Sequence, residues 1–271
     1  MRRVGLAIIG LIGAMVLGAN SATADSITIN YFTIASTDRD ANTLCCGIDN
    51  NEVQNLLGPD GLPVLNTAPF GCLSNCFTDK QPTDVLSNGE ITYWDPLRNN
   101  GGAGGTSDVT ATGSALLTLP VCVTVCNGGN PINFFPPNGT GGNNGGQNGY
   151  QAAILEGTLN APTTELVSFS IGADDMAFAY LDGQLVCDLG GVHAVTPGTC
   201  VTPFDITAGP HKLQVFFVDI NQVQAGLFFN VTTQGVTTNA PEPLTLSFFG
   251  AMIAGLALAL RRRRKQSVMQ A

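Results

Sequence analysis

The chain is poor in charge, in basic residues and in aromatics. Of its 271 residues only 11% are charged and 7% aromatic, and histidine occurs twice. So few charges exclude a polyelectrolyte-type disordered chain. The 11 basic residues sit mostly at the ends, with Arg2 and Arg3 at the start and Arg261, Arg262, Arg263, Arg264 and Lys265 near the finish. From Asp25 to Ala240 only Arg39, Lys80, Arg98 and Lys212 remain, against 19 acidic residues, a net charge of −15. A surface of that sign repels phosphate backbones and anionic lipid and suits cations, neutral sugars and water, which excludes nucleic-acid binding. Catalytic signatures are missing as well. No G-x-S-x-G, H-E-x-x-H or phosphate-loop pattern occurs, and no two carboxylates stand out as the opposed pair of a glycosidase. The expectation is a protein that is not an enzyme.

Helical periodicity is absent between Asp25 and Asn239, whereas strand patterns recur. Ile27 to Ile34 offers a first strand. Leu166 to Ile171 puts Val167, Phe169 and Ile171 on one face. Ala177 to Leu181, Asp182-Gly183 and Gln184 to Cys187 form a hairpin with a two-residue turn. Lys212 to Val218 and Leu227 to Thr232 add two more. Gly and Asn gather at 99–106 and 138–149, which predicts surface loops inside a β domain. The fold class is therefore all-β, an antiparallel β-sandwich or barrel over residues 25–236. Tyr93-Trp94 could stack on a sugar, but a sole Trp in such a domain is more often core.

The two ends are addresses. Met1-Arg2-Arg3, an apolar run from Val4 to Gly18 and the small residues Ala22 and Ala24 make residues 1–24 a Sec-type signal peptide with a helical apolar part. At the other end, a linker over 237–243 closes on Pro241-Glu242-Pro243. An uncharged run, 244–260, and a basic tail, 261–271, follow it. As a helix that run spans ~26 Å, just enough for a transmembrane segment, and the arginines keep the tail cytoplasmic. All eight cysteines lie in the exported part. An even number there predicts disulfides. Cys122 and Cys126, ~13 Å apart if both lie on one strand, should pair elsewhere. Cys187 and Cys200 flank a Gly-rich loop and are expected to close it.

Two resemblances sharpen these expectations. Pro241-Glu242-Pro243, the apolar run and Arg261, Arg262, Arg263 and Arg264 together resemble the PEP-CTERM sorting signal of Gram-negative bacteria that make exopolysaccharide. That implies processing by an exosortase-type enzyme. It also implies transient anchoring in the inner membrane through the C-terminal helix, then delivery to the cell surface or extracellular matrix of a biofilm or floc.

The second lies in Asp174-Asp175, the Asp182-Gly183 hairpin and Asp188-Leu189-Gly190-Gly191-Val192-His193. With Leu57 to Pro63, Phe135 to Gly139 and Ala208 to His211, they resemble the fibro-slime domain, a branch of the protective-antigen-type lectin fold. The interior Met176-Ala177-Phe178-Ala179 departs from that family, which usually carries bulkier aromatics there. In yeast flocculin and adhesin members of the wider fold, two consecutive aspartates and a carboxamide from a later loop hold Ca²⁺, which then binds sugar hydroxyls. The matching positions are Asp174 and Asp175, with Asp219 as the later ligand and Asn221 as its substitute. A Ca²⁺ cofactor and an extracellular polysaccharide partner are what the resemblance implies. Without it, Asp-Asp before a strand is a common turn and cap device.

Overall fold

The computed structural model describes residues 25–38, 40–41, 51–66, 84–122, 149–196, 203–220 and 225–240. The signal segment, the Pro-Glu-Pro motif, the apolar run, the basic tail, Asn221 and Cys200 lie outside the described residues. Among the described residues no helix is long and apolar enough to cross a membrane.

Every described element is a strand: β1 (Ser26–Ile34), β2 (Val109–Thr118), β3 (Val121–Cys122), β4 (Tyr150–Ala161), β5 (Glu165–Val167) and β6 (Phe169–Asp174). Then follow β7 (Met176–Leu181), β8 (Gln184–Leu189), β9 (Phe204–Ile206), β10 (Gly209–Val218), β11 (Gly226–Val231) and β12 (Thr237–Asn239). The large sheet runs β2-β1-β4-β10-β7-β8, with β12 also on β4. A three-stranded sheet, β3-β11-β6, packs on it, and β5 pairs with β9. The large sheet ends at β2 and β8 without closing, so the architecture is an open sandwich and the barrel alternative falls away.

Alternation along the strands splits the interior into two cores. Ile27, Ile29, Leu155, Ala177, Ala179, Leu213, Val215 and Phe217 face the small sheet and meet Val167, Phe169, Ile171, Leu227 and Phe229. The residues between them, including Ala152, Met176, Phe178, Tyr180, Phe216 and Val218, face the other way. There they are covered by an irregular layer that includes Val53, Leu62, Leu65, Ile91, Tyr93 and Trp94. All six residues of β7 are consequently buried. The alanines at 177 and 179 serve the tight sheet-on-sheet side, and the bulkier Met176, Phe178 and Tyr180 the irregular side.

The irregular layer is fastened by polar groups. Trp94 Nε1 donates to the Phe217 carbonyl at 2.8 Å, and its ring meets Phe178 and Phe216 edge-on. Tyr93 and Trp94 are thus core residues. The buried Glu90 carboxylate accepts from the Asp60 and Leu62 amides and from Asn88. Gly58 passes so close to that carboxylate that a Cβ has no room.

The predicted hairpin joins β7 and β8, with Asp182 and Gly183 at φ 51° and 79°. The Asp182 carboxylate turns back to β10, accepting from the Lys212 amide at 2.7 Å and lying 2.6 Å from His211 Nδ1. His211 Nε2 lies 2.9 Å from the Thr207 carbonyl. Two acceptors on one ring favour imidazolium, chiefly the Asp182 carboxylate, and hold the His211 pKa above its usual value.

Two outcomes are expected. Trp94→Ala removes a buried ring and its hydrogen bond to the Phe217 carbonyl, and should cost roughly 3–5 kcal/mol in denaturant unfolding. The His211 contribution is complete below about pH 6.5 and is lost as pH rises through the higher folded-state pKa. Asp182→Asn should flatten that part of the stability–pH curve, read by thermal unfolding between pH 5.5 and 8.5.

Candidate functional site: acidic clusters on one rim

Strand pairing decides where the predicted ligands lie. Ile34 pairs with Tyr150, Ala152 with Val218, and Val218 with Met176, so these residues mark one end of the large sheet. Asp174 closes β6, Asp175 precedes β7 and Asp219 follows β10, all at that end. The peptide between Asp174 and Asp175 is cis.

Asp175 is buried, and each of its oxygens takes a backbone donor: Oδ1 from the His193 amide at 3.2 Å and Oδ2 from the Ile220 amide at 3.0 Å. This carboxylate therefore pins the segment after β8 and the turn after β10 onto the start of β7. Burial pushes the Asp175 carboxyl up, while the Ile220 amide, Asp219 and the His193 amide pull against it. Asp219 is buried too, and its amide donates to the Gln151 carbonyl on β4. Asp174 is half-buried, and burial together with the neighbouring Asp175 charge raises its carboxyl to about 7. The structure thus brings Asp174, Asp175 and Asp219 to one corner. Asn221, the expected substitute ligand, lies outside the described residues. All three offer carboxylate oxygens, the donor type that a hard cation takes.

Cys187 is buried in β8 and disulfide-bonded. His193 packs as part of this corner through its backbone amide, and its Nε2 is buried without a hydrogen-bond partner.

A second acidic cluster was not anticipated from the sequence. Asp38 and Asp40 follow β1, Asp108 precedes β2, and Asp84 comes from the irregular layer. One oxygen from each of Asp38, Asp84 and Asp108 lies within 4.8 Å of the other two. Desolvation, with the neighbouring carboxylates, pushes all three carboxyls up to about 7. The signal for this cluster was spread over seventy residues of sequence, and only sheet pairing assembles it. The 99–106 stretch, expected to be a surface excursion, contributes a buried Asn99 that holds two of these aspartates.

A groove of about 400 Å³ runs along Asn51, Val53, Gln54, Asn55, Leu56 and Asn66, beside the outer strand β8. Its four carboxamides offer donors and acceptors without charge.

These features define an all-β open sandwich with carboxylates gathered on the rim of its large sheet. The family model described as the PA14 domain matches residues 140–243, a span that includes Asp174, Asp175 and Asp219. Solved structures similar to the chain include the PA14 sugar-binding domain from an RTX adhesin. It is 19% identical, with a TM-score of 0.28, over 34% of this chain and 52% of that one. Another is the PA14 domain of the MpAFP antifreeze protein, at 15% identity and a TM-score of 0.28, covering 35% and 56%. A third is the epithelial adhesin 9 A domain from Candida glabrata in complex with Galb1-4GlcNAc, at 10% identity and a TM-score of 0.35, covering 81% and 88%. The chain spans about half the length of the first two. No curated protein matches it.

The two aspartates should respond differently to mutation. Asp175→Ala strands the buried Ile220 amide and releases the part-buried His193 amide, and should destabilise the domain by about 2–5 kcal/mol. Asp174→Asn, which removes a disfavoured charge, should be neutral or stabilising at pH 8 in metal-free buffer. Chemical denaturation of both variants checks the contrast.

Proposed function

We propose that this chain is an exported carbohydrate-binding protein without enzymatic activity, delivered to the surface or matrix of a Gram-negative cell. On this reading it binds exopolysaccharide at the Asp174–Asp175 corner through Ca²⁺. The observation that carries the reading is the coincidence of the PA14 match with the buried Asp175 clamp. The match spans the aspartate pair and the strand that ends beside it. Asp175 is fixed by the Ile220 and His193 amides before any ion arrives. A fixed carboxylate next to a half-buried one is what a calcium ion needs, and vicinal sugar hydroxyls would complete its shell of six to eight oxygens. The carboxamide groove beside β8 offers neutral hydrogen bonds to further sugar units.

The placement of the described ends supports a tethered, outward-facing module. The Thr238 amide donates to Asp25 Oδ1 at 2.9 Å, and the Ala240 amide to Ser26 Oγ at 3.3 Å. Residues 25 and 240 therefore leave the sheet together, at the opposite end of β1 from the acidic rim. Nine residues of strand separate the two ends by ~27 Å. A signal peptide before residue 25 and a Pro-Glu-Pro sorting signal after residue 240 would hold the module from one side. The carboxylates would then face away from the membrane. An exosortase-type enzyme would act near Pro241-Glu242-Pro243, and a disulfide between Cys187 and Cys200 would stiffen the segment that follows β8.

Calorimetric titration of the mature protein should give heat with Ca²⁺, and then with the host's own polysaccharide only when Ca²⁺ is present. Asp174→Asn should weaken sugar binding at least tenfold while far-UV circular dichroism stays unchanged. Absence of sugar heat in the folded, Ca²⁺-saturated protein overturns the binding role and leaves a purely structural, disulfide-crosslinked matrix component. Mass spectrometry of the secreted form should find an N-terminus at Asp25 and no basic tail.

A further inference from the structure

We infer that Asp38, Asp84 and Asp108 form a second divalent-cation site, of the calcium type, which locks the irregular layer onto the β1–β2 end of the large sheet. It is separate from the Asp174–Asp175 corner and does not depend on the sugar-binding reading.

The geometry is that of a prepared site. Asp38 and Asp84 are 5% and 1% exposed. Each commits one oxygen to a neighbour and leaves the other in the shared space. Asp38 Oδ1 accepts from the Ala41 amide at 2.6 Å, and Asp84 Oδ1 from Asn99 Nδ2 at 2.5 Å. Asp38 Oδ2, Asp84 Oδ2 and Asp108 Oδ1 are buried without a hydrogen-bond partner. Such atoms call for a positive partner, because a buried carboxylate oxygen otherwise loses its hydration for nothing. Among the described residues no Lys, Arg or His forms an ion pair with any of the three.

The surroundings hold the ligands rather than neutralise them. Asn99 Nδ2 also donates to Thr92 Oγ1 at 3.0 Å, and Asn99 Oδ1 accepts from the Asp108 amide at 3.1 Å. Asp40 Oδ2 takes the Asp84 amide, and the Ala35 amide donates to the Asp108 carbonyl. Gly101 runs against the Asp84 carboxylate with no room for a Cβ. Four separate segments thus converge on one point.

The donor set names the class of ion. Only oxygens are offered, without His or Cys, which disfavours zinc and copper. Three carboxylate oxygens within 4.8 Å of one another can all reach a central ion at the 2.3–2.6 Å of Ca²⁺. Carboxylates as buried as Asp38 and Asp84 suit calcium better than Mg²⁺, which keeps several of its waters. By bridging the ends of β1 and β2 to Asp84, the ion would fasten the layer that carries Tyr93 and Trp94 against the second core.

The test counts ions in the purified full chain by equilibrium dialysis with Ca²⁺ alone, and uses Tb³⁺ as a luminescent probe excited through Tyr93 and Trp94. Asp174→Asn combined with Asp175→Asn should still bind one Ca²⁺, keep the sensitised emission and gain thermal stability with Ca²⁺. Asp84→Asn, folded by circular dichroism, should bind one ion fewer and lose the emission at least tenfold. Emission and ion count unchanged in Asp84→Asn overturn the proposal. So does a folded Asp174→Asn/Asp175→Asn variant that binds no ion, and that second arm decides the matter if Asp84→Asn does not fold. Failure of sugar binding with this ion count intact would sink the proposed function and leave the second site standing.

Discussion

The structure depends on one ladder. β4 and β10 pair over ten successive residue pairs, from Gly209 opposite Ala161 to Val218 opposite Ala152. Everything else is placed relative to that pair: β1 on one side of it, β7 and β8 on the other, and β12 beside its far end. Because the ladder is antiparallel and unbroken, the strand ends are in step. Carboxylates that lie far apart in the chain then come out on one rim. A one-residue slip would exchange the two faces, sending Phe216 and Val218 toward the small sheet and Val215 and Phe217 toward the irregular layer.

Both faces of that sheet are covered, but by different means. One side is a conventional sheet-on-sheet core, where small and branched residues from two regular surfaces interdigitate. The other side is roofed by chain with little regular structure, which must find partners for its own backbone and polar groups. Glu90 gathers the amides of the Asp60–Leu62 turn, Trp94 reaches the Phe217 carbonyl, and Asn99 bridges Asp84 and Asp108. The polar residues of this layer therefore act where a second sheet would have used ladder hydrogen bonds. That also explains buried acids in a domain so short of basic residues.

The net charge of −15 between Asp25 and Ala240 takes on a local meaning in this frame. Part of it is concentrated at one end of the sheet, in two clusters separated by the end of β4. At one corner the backbone amides of His193 and Ile220 receive a carboxylate, and at the other the side chain of Asn99 and the amide of Ala41 do so. Amides orient carboxylates without cancelling their charge, and burial then raises the carboxyls of Asp174 at one corner and of Asp38, Asp84 and Asp108 at the other to about 7.

The sequence by itself determined the all-β class, β1, the β7–β8 hairpin with its Asp-Gly turn, and the strands that became β10 and β11. Their alternation and turn chemistry are local, and packing had no reason to override them. It also marked Asp174 and Asp175, since adjacent residues need no fold to be found together. The two longest remaining strands were not legible. β4 is rich in Ala and carries Gly, Asn and Glu, which have no strand preference, and β2 is an edge strand whose exposed positions blur the alternation. Both exist because neighbouring strands supply their hydrogen bonds. Likewise only the tertiary structure decided that Asp38, Asp84, Asn99 and Asp108 meet, that Trp94 reaches the Phe217 carbonyl, and that residues 25 and 240 leave side by side. Each is a contact between distant segments, fixed by strand register, and no local pattern carries that information.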